Sequence, residues 1–285
     1  MTLSRLTSRA PRSHAPTLSR SHAVRRHLRL WRRFVVLAFV REAEYRVNFF
    51  LQVGYGLAQL AVAVGTFALL YRFTGEIAGW TEAEALLLVG VYRIADGLLE
   101  LLCGTNLRAI GGYIRRGELD FYLLRPVSSQ FLVSLRLLHL DEAVNVAIGL
   151  ALALYAGERA GVRWSVAGVA EAAAFGLCGL VLLYALWFAA VTCSFWLVRV
   201  DTLDQLFEGV FEAGRYPLSY FRGVVRALLT FAVPVAFATT FPAEALRGTA
   251  DARFLLVGVA LAALALWCTS RFWRFAVRHY SSASS

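Results

Sequence analysis

The sequence contains no lysine, because all 29 of its basic residues are arginine. A P-loop needs the lysine of its GxxxxGK[ST] motif to reach the β- and γ-phosphates of a nucleotide. A Schiff base with pyridoxal phosphate or with a carbonyl substrate also needs a lysine amine. The chain therefore carries neither kind of site, and any activity driven by ATP has to take its ATPase from another polypeptide.

Cysteine is also scarce, and none of the four cysteines forms a CxxC pair. All four lie inside or at the ends of apolar blocks, where a cysteine usually acts as a small buried hydrophobic residue. The five histidines are scattered and lack an HExxH context. We therefore expect no disulfide framework, metal site or cofactor in this chain. No nucleophile–base pair is visible, so we expect no enzymatic activity either.

Charged residues make up only 17% of the 285 residues, whereas 59% are hydrophobic. A soluble domain has about 25% charged residues, and a membrane-spanning helix needs about 20 mostly apolar residues in succession. We predict an all-α integral membrane protein with six transmembrane helices in a single domain over residues 25–280. The predicted spans cover residues 49–71, 83–104, 137–156, 172–198, 224–243 and 254–270.

The distribution of arginine predicts the orientation of these spans. The segments on one side of the membrane hold 23 arginines and those on the other side hold five, with Arg93 inside the second span. Cytoplasmic segments carry an excess of positive charge. We therefore expect both termini in the cytoplasm of a multi-pass protein, and place it in a bacterial plasma (inner) membrane.

The N-terminal region divides into two parts. Residues 1–24 are rich in Ser, Arg, Pro and His and contain no acidic residue, so we predict a disordered basic tail there. Residues 25–44 place arginines on one helical face and apolar side chains on the other. This pattern indicates an amphipathic helix in the membrane interface, or else a cytoplasmic extension of the first span. Residues 281–285 form a short C-terminal tail.

Polar side chains occur inside two predicted spans. Gln52 and Gln59 share a face of the first span, and Arg93, Asp96 and Glu100 share a narrow arc of the second. Ionisable residues in a membrane are costly and are functional candidates by default. We expect these residues to line a substrate path or a subunit interface, with Asp96 neutralising Arg93. Simple helix packing, or a structural ion pair, is the alternative for them.

The cytoplasmic segment GGYIRRGELDFYLLRPVSSQ (111–130) indicates a docking element. Gly117 can end the preceding helix, and acidic residues in the first turn favour a new helix, which Pro126 ends. A plain connecting loop is the alternative. The candidate contacts to a partner are Glu118, Leu119, Asp120, Tyr122, Leu123 and Arg125, of which Leu119, Tyr122 and Leu123 would form an apolar knob.

Residues Gly117–Ser128 resemble the coupling loop of type-2 ABC-transporter permeases, whose signature is G-x-L-D-x-x-L-L-R-P-x-S. The sequence EYRVNF (44–49) is similar to the entry of that family's first span. Residues 217–246 are similar to its fifth span and the proline-containing outer segment that follows. The three matches keep their order, and the similarity extends from about residue 28 to residue 279.

This resemblance implies an interface helix, a coupling helix between spans two and three, and a re-entrant outer segment before the last span. It also implies two permease subunits, alike or different, bound to two ATP-binding subunits that hold ATP and magnesium, and no nucleic acid. The implied function is ATP-driven export of a drug, lipid, peptide or glycan. An ion-coupled secondary transporter using Arg93, Asp96 and Glu100 is the alternative.

Overall fold

The computed structural model describes residues 20–44, 46–197 and 201–280, so the tail predictions for residues 1–19 and 281–285 lie outside the described residues. The described chain is almost entirely helical. Its α-helices are α1 Arg20–Glu44, α2 Arg46–Tyr71, α3 Glu82–Leu99, α4 Thr105–Arg115, α5 Asp120–Leu123, α6 Ser129–Leu135, α7 Ala143–Arg159, α8 Val166–Thr192, α9 Asp201–Glu212, α10 Gly223–Ala227, α11 Val235–Ala238, α12 Thr240–Arg247 and α13 Ala252–Arg278.

Four helical stretches in the described chain are long and apolar enough to cross a membrane: Phe50–Tyr71, Leu140–Arg159, Val166–Phe195 and Ala252–Arg278. They confirm an all-α membrane protein. Two of the six predicted spans are not among these four stretches. The helix of the second predicted span carries too many charged residues, and the fifth is not one continuous helix. The helix expected to start at residue 25 begins at Arg20. Residues 20–24, which the sequence assigned to the basic tail, thus belong to α1, and they contain no glycine or proline to stop the helix.

The second predicted span is part of a much longer helix. It starts at a capping box, in which the Glu84 amide donates to Thr81 Oγ1 and the Thr81 amide donates to Glu84 Oε2 at 2.8 Å. α3, a π-helical turn over Glu100–Gly104 and α4 then follow without a break, over 18, 5 and 11 residues. Together they extend about 50 Å at 1.5 Å per residue. Because the hydrocarbon core is about 30 Å thick, α4 projects beyond it.

α3 packs along α7, and glycines allow the two helices to approach closely. A Cβ at Gly149 would lie 2.8 Å from the Ile94 amide nitrogen and 2.9 Å from the Gly90 carbonyl oxygen. α7 is preceded by a 3₁₀ turn over Leu140–Glu142, so the third span begins near Leu140 instead of 137. The Asn106 side chain donates to the Leu137 carbonyl at 2.6 Å and accepts from the Leu137 amide at 3.0 Å. These bonds fix the entry to α7 against α4.

The aromatic core lies where α8 meets α13. Trp187, Phe188 and Trp273 are buried there, and the Phe188 and Trp273 ring centroids are 5.1 Å apart in an edge-on arrangement. The Thr269 hydroxyl of α13 donates to the Ala185 carbonyl of α8 at 3.0 Å. A polar side chain in an apolar helix pair is thus satisfied across the interface, as transmembrane helix packing requires.

The prediction of a span over residues 224–243 is wrong. This region consists of α10, a π turn over Leu228–Ala232, α11 and α12. Pro234 lies at the break before α11, where its missing N–H cannot continue a helix. A continuous membrane-spanning helix is therefore absent from the described residues 223–247.

The chain instead runs the length of the helix bundle between α9 and residue 220. Phe207 stacks on Trp187 at 4.8 Å, and Tyr216 lies 5.7 Å from Phe67. The hydroxyl groups of Tyr220 and Tyr71 are 2.5 Å apart. The arginine count predicts that the segment over residues 199–226 lies opposite the loop after α2, but Tyr220 lies at the same end as that loop. The acidic residues of α9 conceal it from a search for apolar runs.

A two-stranded antiparallel hairpin, β1 Glu76–Ile77 and β2 Trp80–Thr81, closes this end of the bundle. The Arg247 guanidinium at the end of α12 forms an ion pair with Glu84 at 2.7 Å and lies 4.3 Å above the Trp80 ring. Ser219 donates to the Ala78 carbonyl at 3.0 Å. α12 and residues 218–220 are therefore both tied to the hairpin and to the start of α3.

Candidate functional site

A polar cavity of about 600 Å³ lies among α2, α3, α7, α8 and α9. Eight charged side chains line this cavity, although the surrounding helix bundle is mostly apolar. Its charged lining residues are Arg93, Asp96, Glu100, Arg108, Glu142, Glu208, Glu212 and Arg215, and they are accompanied by Tyr55, Gln59, Tyr92, Asn145, Trp187 and Gln205.

Arg108 is the main cation at one end of this cavity. Its Nη1 donates to Glu100 Oε1 at 2.9 Å and to Glu208 Oε1 at 3.3 Å. Its guanidinium lies 5.4 Å from the centre of the Trp187 ring. Arg108 therefore joins three helices, since these partners belong to the π turn after α3, to α9 and to α8.

The π-helical turn makes the contact between Glu100 and Arg108 possible. Eight residues separate the two, and in a regular α-helix neighbours on one face are three or four residues apart. Gly104 lies between them, and a Cβ on this residue would collide with the Glu100 carboxylate. π turns frequently occur at functional sites, and here the turn allows a bidentate ion pair between Glu100 and Arg108.

The opposite end of the cavity carries a second ion pair, between Arg215 and Glu212. The Arg215 guanidinium also lies 5.7 Å from the Tyr92 ring centre. Glu142 accepts a hydrogen bond from Asn145 Nδ2 at 2.6 Å. The cavity thus contains five carboxylates and three arginines, joined by ion pairs at both ends.

Four of the five residues predicted for a substrate path line this one cavity: Gln59, Arg93, Asp96 and Glu100. Gln52 does not line it. Its Nε2 donates instead to Glu142 at 2.9 Å and to Asp141 at 3.4 Å, and so ties α2 to the start of α7. Whether these residues conduct a substrate or join subunits stays a prediction.

The expected ion pair between Arg93 and Asp96 is not found within the described part of the chain. Among the described residues, neither Arg93 nor Arg215 forms an ion pair with Asp96. Glu100, for which the sequence indicated no partner, instead forms an ion pair with Arg108. A spacing of three residues brings side chains onto one face, but the rotamers and neighbouring helices decide whether they meet.

Sequence reasoning missed the half of the cavity formed by α7, α8 and α9. Glu208 and Glu212 are four residues apart, and Phe207 and Phe211 form an equally spaced apolar face. This amphipathic period was the available signal for a helix with one polar face. Their position opposite Arg108 could not be read from the sequence, because it depends on how α9 packs on α8.

The predicted docking segment begins where α4 ends. Arg116 is the C-cap residue and Gly117 follows with φ of 70°, a left-handed conformation that glycine adopts without strain. The short helix α5 then covers Asp120–Leu123, with Leu119 as its N-cap residue. Glu118 therefore precedes the helix, contrary to the expectation that it lies in the first turn.

The surface of this segment differs from the predicted apolar knob. Leu119 is 0% exposed and Tyr122 is 8% exposed, whereas Phe121 and Leu124 are 70% and 82% exposed. The prediction that Leu119 and Tyr122 form an outer apolar surface is therefore wrong, because both pack inward. Leu123 is half-buried and Arg125 is exposed. The exposed apolar side chains of α5 and its C-cap are Phe121 and Leu124.

Hydrogen bonds hold the segment rigidly to its own chain. The Leu119 amide donates to the Tyr113 carbonyl at 3.2 Å, and Arg136 Nη1 donates to the Tyr122 hydroxyl at 2.8 Å. Ser128 caps α6 through the Phe131 amide. α5 is consequently a fixed projection at the end of the long helix through α3 and α4.

Two local effects shift the pKa values of groups in this segment. The Arg116 guanidinium donates to the Glu118 carboxylate at 2.6 and 3.1 Å, which lowers the pKa of Glu118 and raises that of Arg116. Burial, together with the neighbouring Tyr113, raises the pKa of Tyr122 to about 12. The Tyr122 phenol is therefore neutral at physiological pH, while Glu118 is ionised.

The family model described as "ABC-2 family transporter protein" matches residues 57–284. The chain belongs to this ABC-2 transporter family. Membership makes it a membrane transport component of the permease type, which associates with an ATP-binding subunit. The comparison with curated proteins gives no match, and neither does the comparison with solved structures. The matched residues include the long helix, the docking segment and the cavity-lining α9.

Proposed function

We propose that this ABC-2 permease exports its substrate from the cytoplasm of a bacterium, driven by two ATP-binding subunits, one of which docks on residues 117–125 of this chain. The ATP and magnesium bind to those subunits. The observation that carries the proposal is the rigid connection from the cavity to an exposed apolar tip. Phe121 and Leu124 are displayed at the end of a helix that also holds Glu100 and Arg108.

This connection supports a mechanical coupling between the motor and the cavity. Movement of the tip is transmitted along α4, because the helix is continuous from Glu82 to Arg115. Arg108 lies on this helix and pairs with Glu208 of α9. A shift of α4 would therefore alter the contact that holds α9 across the cavity, and nucleotide would favour one of the two arrangements.

Exposed residues of the cavity support the proposal that a second permease subunit, alike or different, completes the substrate path. Tyr55 and Glu208 line the cavity, yet both are largely exposed on the surface of this chain. Polar groups in a membrane need a protein partner or water. A second subunit facing α2 and α9 would enclose them, and both termini would lie on the cytoplasmic side with the docking segment.

Paired substitutions test the docking claim. Phe121→Asp with Leu124→Asp removes two exposed apolar side chains, each contributing about 1.5–3 kcal/mol when buried. We expect recovery of the ATP-binding subunit with the tagged permease to fall about tenfold or more. The matched control is Phe73→Asp with Val166→Asp, since these side chains are 85% and 90% exposed and lie at the other end. Equal recovery with both double variants would overturn the proposal.

A further inference from the structure

α1 and the segment that follows the docking helix form the two walls of a groove. Phe34 of α1 stacks on Phe131 with ring centroids 6.4 Å apart, and His27 meets the same ring edge-on at 4.9 Å. Further along α1, Arg41 Nη2 donates to the Leu138 carbonyl at 2.6 Å. These contacts fix the groove on both sides of Phe34.

Four arginines converge on this groove, which has a volume of about 420 Å³. Arg26, Arg29 and Arg33 project from α1, and Arg125 comes from the other wall. Acidic residues are absent from its described lining, and none of the four forms an ion pair with a described carboxylate. Like charges gathered at one place repel each other unless an anion lies between them.

The floor of the groove is apolar. Leu30, Phe34, Val127 and Leu132 line it together with the arginines. Leu30, Phe34 and Val127 are partly exposed, whereas Leu132 is buried. A guanidinium binds phosphate through two parallel hydrogen bonds, while the apolar floor offers surface to hydrocarbon. This combination of a cationic rim and an apolar floor is complementary to a phosphate ester that carries an acyl chain.

The surroundings of the groove indicate that this ligand comes from the membrane. α1 displays exposed apolar residues away from the groove, among them Leu28, Phe39 and Val40. A helix with a basic face and an exposed apolar face lies in the interface, with its apolar side among the acyl chains. Basic clusters at this depth attract anionic lipids. A second groove adjoins the first, shares Phe34 and Arg125 with it, and adds Arg41 and Arg136.

We propose that this groove binds one anionic phospholipid, with its phosphate held by Arg26, Arg29, Arg33 and Arg125. The acyl chain lies on Leu30, Phe34 and Val127. The bound lipid fixes α1 to the segment that continues the docking helix. This proposal does not depend on the identity of the transported substrate.

Lipid retention tests the site. The full chain, purified in a mild detergent, is titrated with phosphatidylglycerol or phosphatidylcholine, and bound lipid is counted by native mass spectrometry. We expect one phosphatidylglycerol to be retained in preference to phosphatidylcholine. Arg29→Gln with Arg33→Gln should weaken this binding about tenfold or more, and Arg125→Gln, from the other wall, should weaken it as well.

The matched control is Arg32→Gln with Arg274→Gln, which removes the same charge from residues that line neither groove. An equal loss in the control would show only diffuse attraction and overturn the site. Displacement of the lipid by inorganic phosphate would identify a small-anion site instead. Unchanged lipid binding, with loss of the co-purified ATP-binding subunit from the Arg29/Arg33 variant, would assign these arginines to that partner.

Discussion

Arg108 carries more interactions than any other charged residue described in the cavity, and their geometry explains its importance. It pairs with Glu100, whose side chain is 23% exposed, and with the more exposed Glu208. A partly buried carboxylate that loses its cation keeps the cost of desolvation without the compensating attraction. Gly104 lies beside this ion pair, and a Cβ at this position would displace the Glu100 carboxylate from its present place. Loss of the Arg108 guanidinium would therefore leave Glu100 unpaired and remove the contacts that join α4 to α8 and α9.

Substitution of Arg108 should destabilise the permease. We expect Arg108→Met to cost about 1–2 kcal/mol and to lower the thermal midpoint in detergent by about 2–6 °C. The double variant Glu100→Gln with Arg108→Met should recover part of this loss, since the unpaired charge is then gone. Arg116→Met, which removes the exposed partner of Glu118, is the control. An equal effect of the two single methionine variants would refute the proposed importance of Arg108.

The individual charged residues could be selected from the sequence, but their partners could not. Arg93, Asp96 and Glu100 stand out because ionisable residues are rare inside apolar helices. Glu100 nevertheless pairs with Arg108, because a π turn changes the register that regular helical spacing predicts. The docking segment shows the same limit. Its motif located the turn at Gly117, but only packing against Tyr113 and Arg136 shows that Tyr122 lies inward.

At the scale of helices, the contact between α3 and α7 supports the wall of the cavity. Gly149 lies against the backbone of Ile94 and Gly90, so even one methyl group has no space there. The long helix and α7 are each recognisable from the sequence, by the capping box at Thr81 and by an apolar run. α9 is missed by a search for apolar runs, because it is apolar on only one face, and its amphipathic period is the signal that indicates it.

Gly149→Val should force α3 and α7 apart. Overpacking of a tight contact costs about 1–3 kcal/mol, so we expect a lower thermal midpoint and a smaller fraction of monodisperse protein. Gly54→Val in α2 is the matched control, because a Cβ at Gly54 meets no atom within 4 Å. If size-exclusion profiles of the two variants were equally affected, the close packing of α3 on α7 would be contradicted.

Across the whole molecule, the path of the chain between α8 and α13 determines which segments share an end. The hydroxyls of Tyr220 and Tyr71 meet, and Ser219 donates to the Ala78 carbonyl. The arginine counts favoured a fifth crossing over residues 224–243. They indicate that successive segments alternate between the two sides of the membrane, but not where each span begins. Moving the fifth crossing to the chain between α9 and residue 220 preserves the alternation of the remaining segments.

Side-specific labelling checks this path. In a chain whose four native cysteines are replaced, Ser219→Cys should react with a membrane-impermeant maleimide from the same side as Phe73→Cys. Glu118→Cys should react only from the opposite side, because it follows the end of the long helix. The chain path would be wrong if Ser219→Cys shared its accessible side with Glu118→Cys.

Docking requires that an ATP-binding subunit contacts the tip formed by Phe121 and Leu124. The most direct measurement replaces Phe121 by a photoreactive phenylalanine analogue and irradiates membranes containing the intact complex. The crosslinked polypeptide should contain a Walker A lysine motif, and its yield should change when ATP is added. The same analogue in place of Phe73 should give no such product. Crosslinking to the ATP-binding subunit from Phe73, with none from Phe121, would contradict docking at this tip.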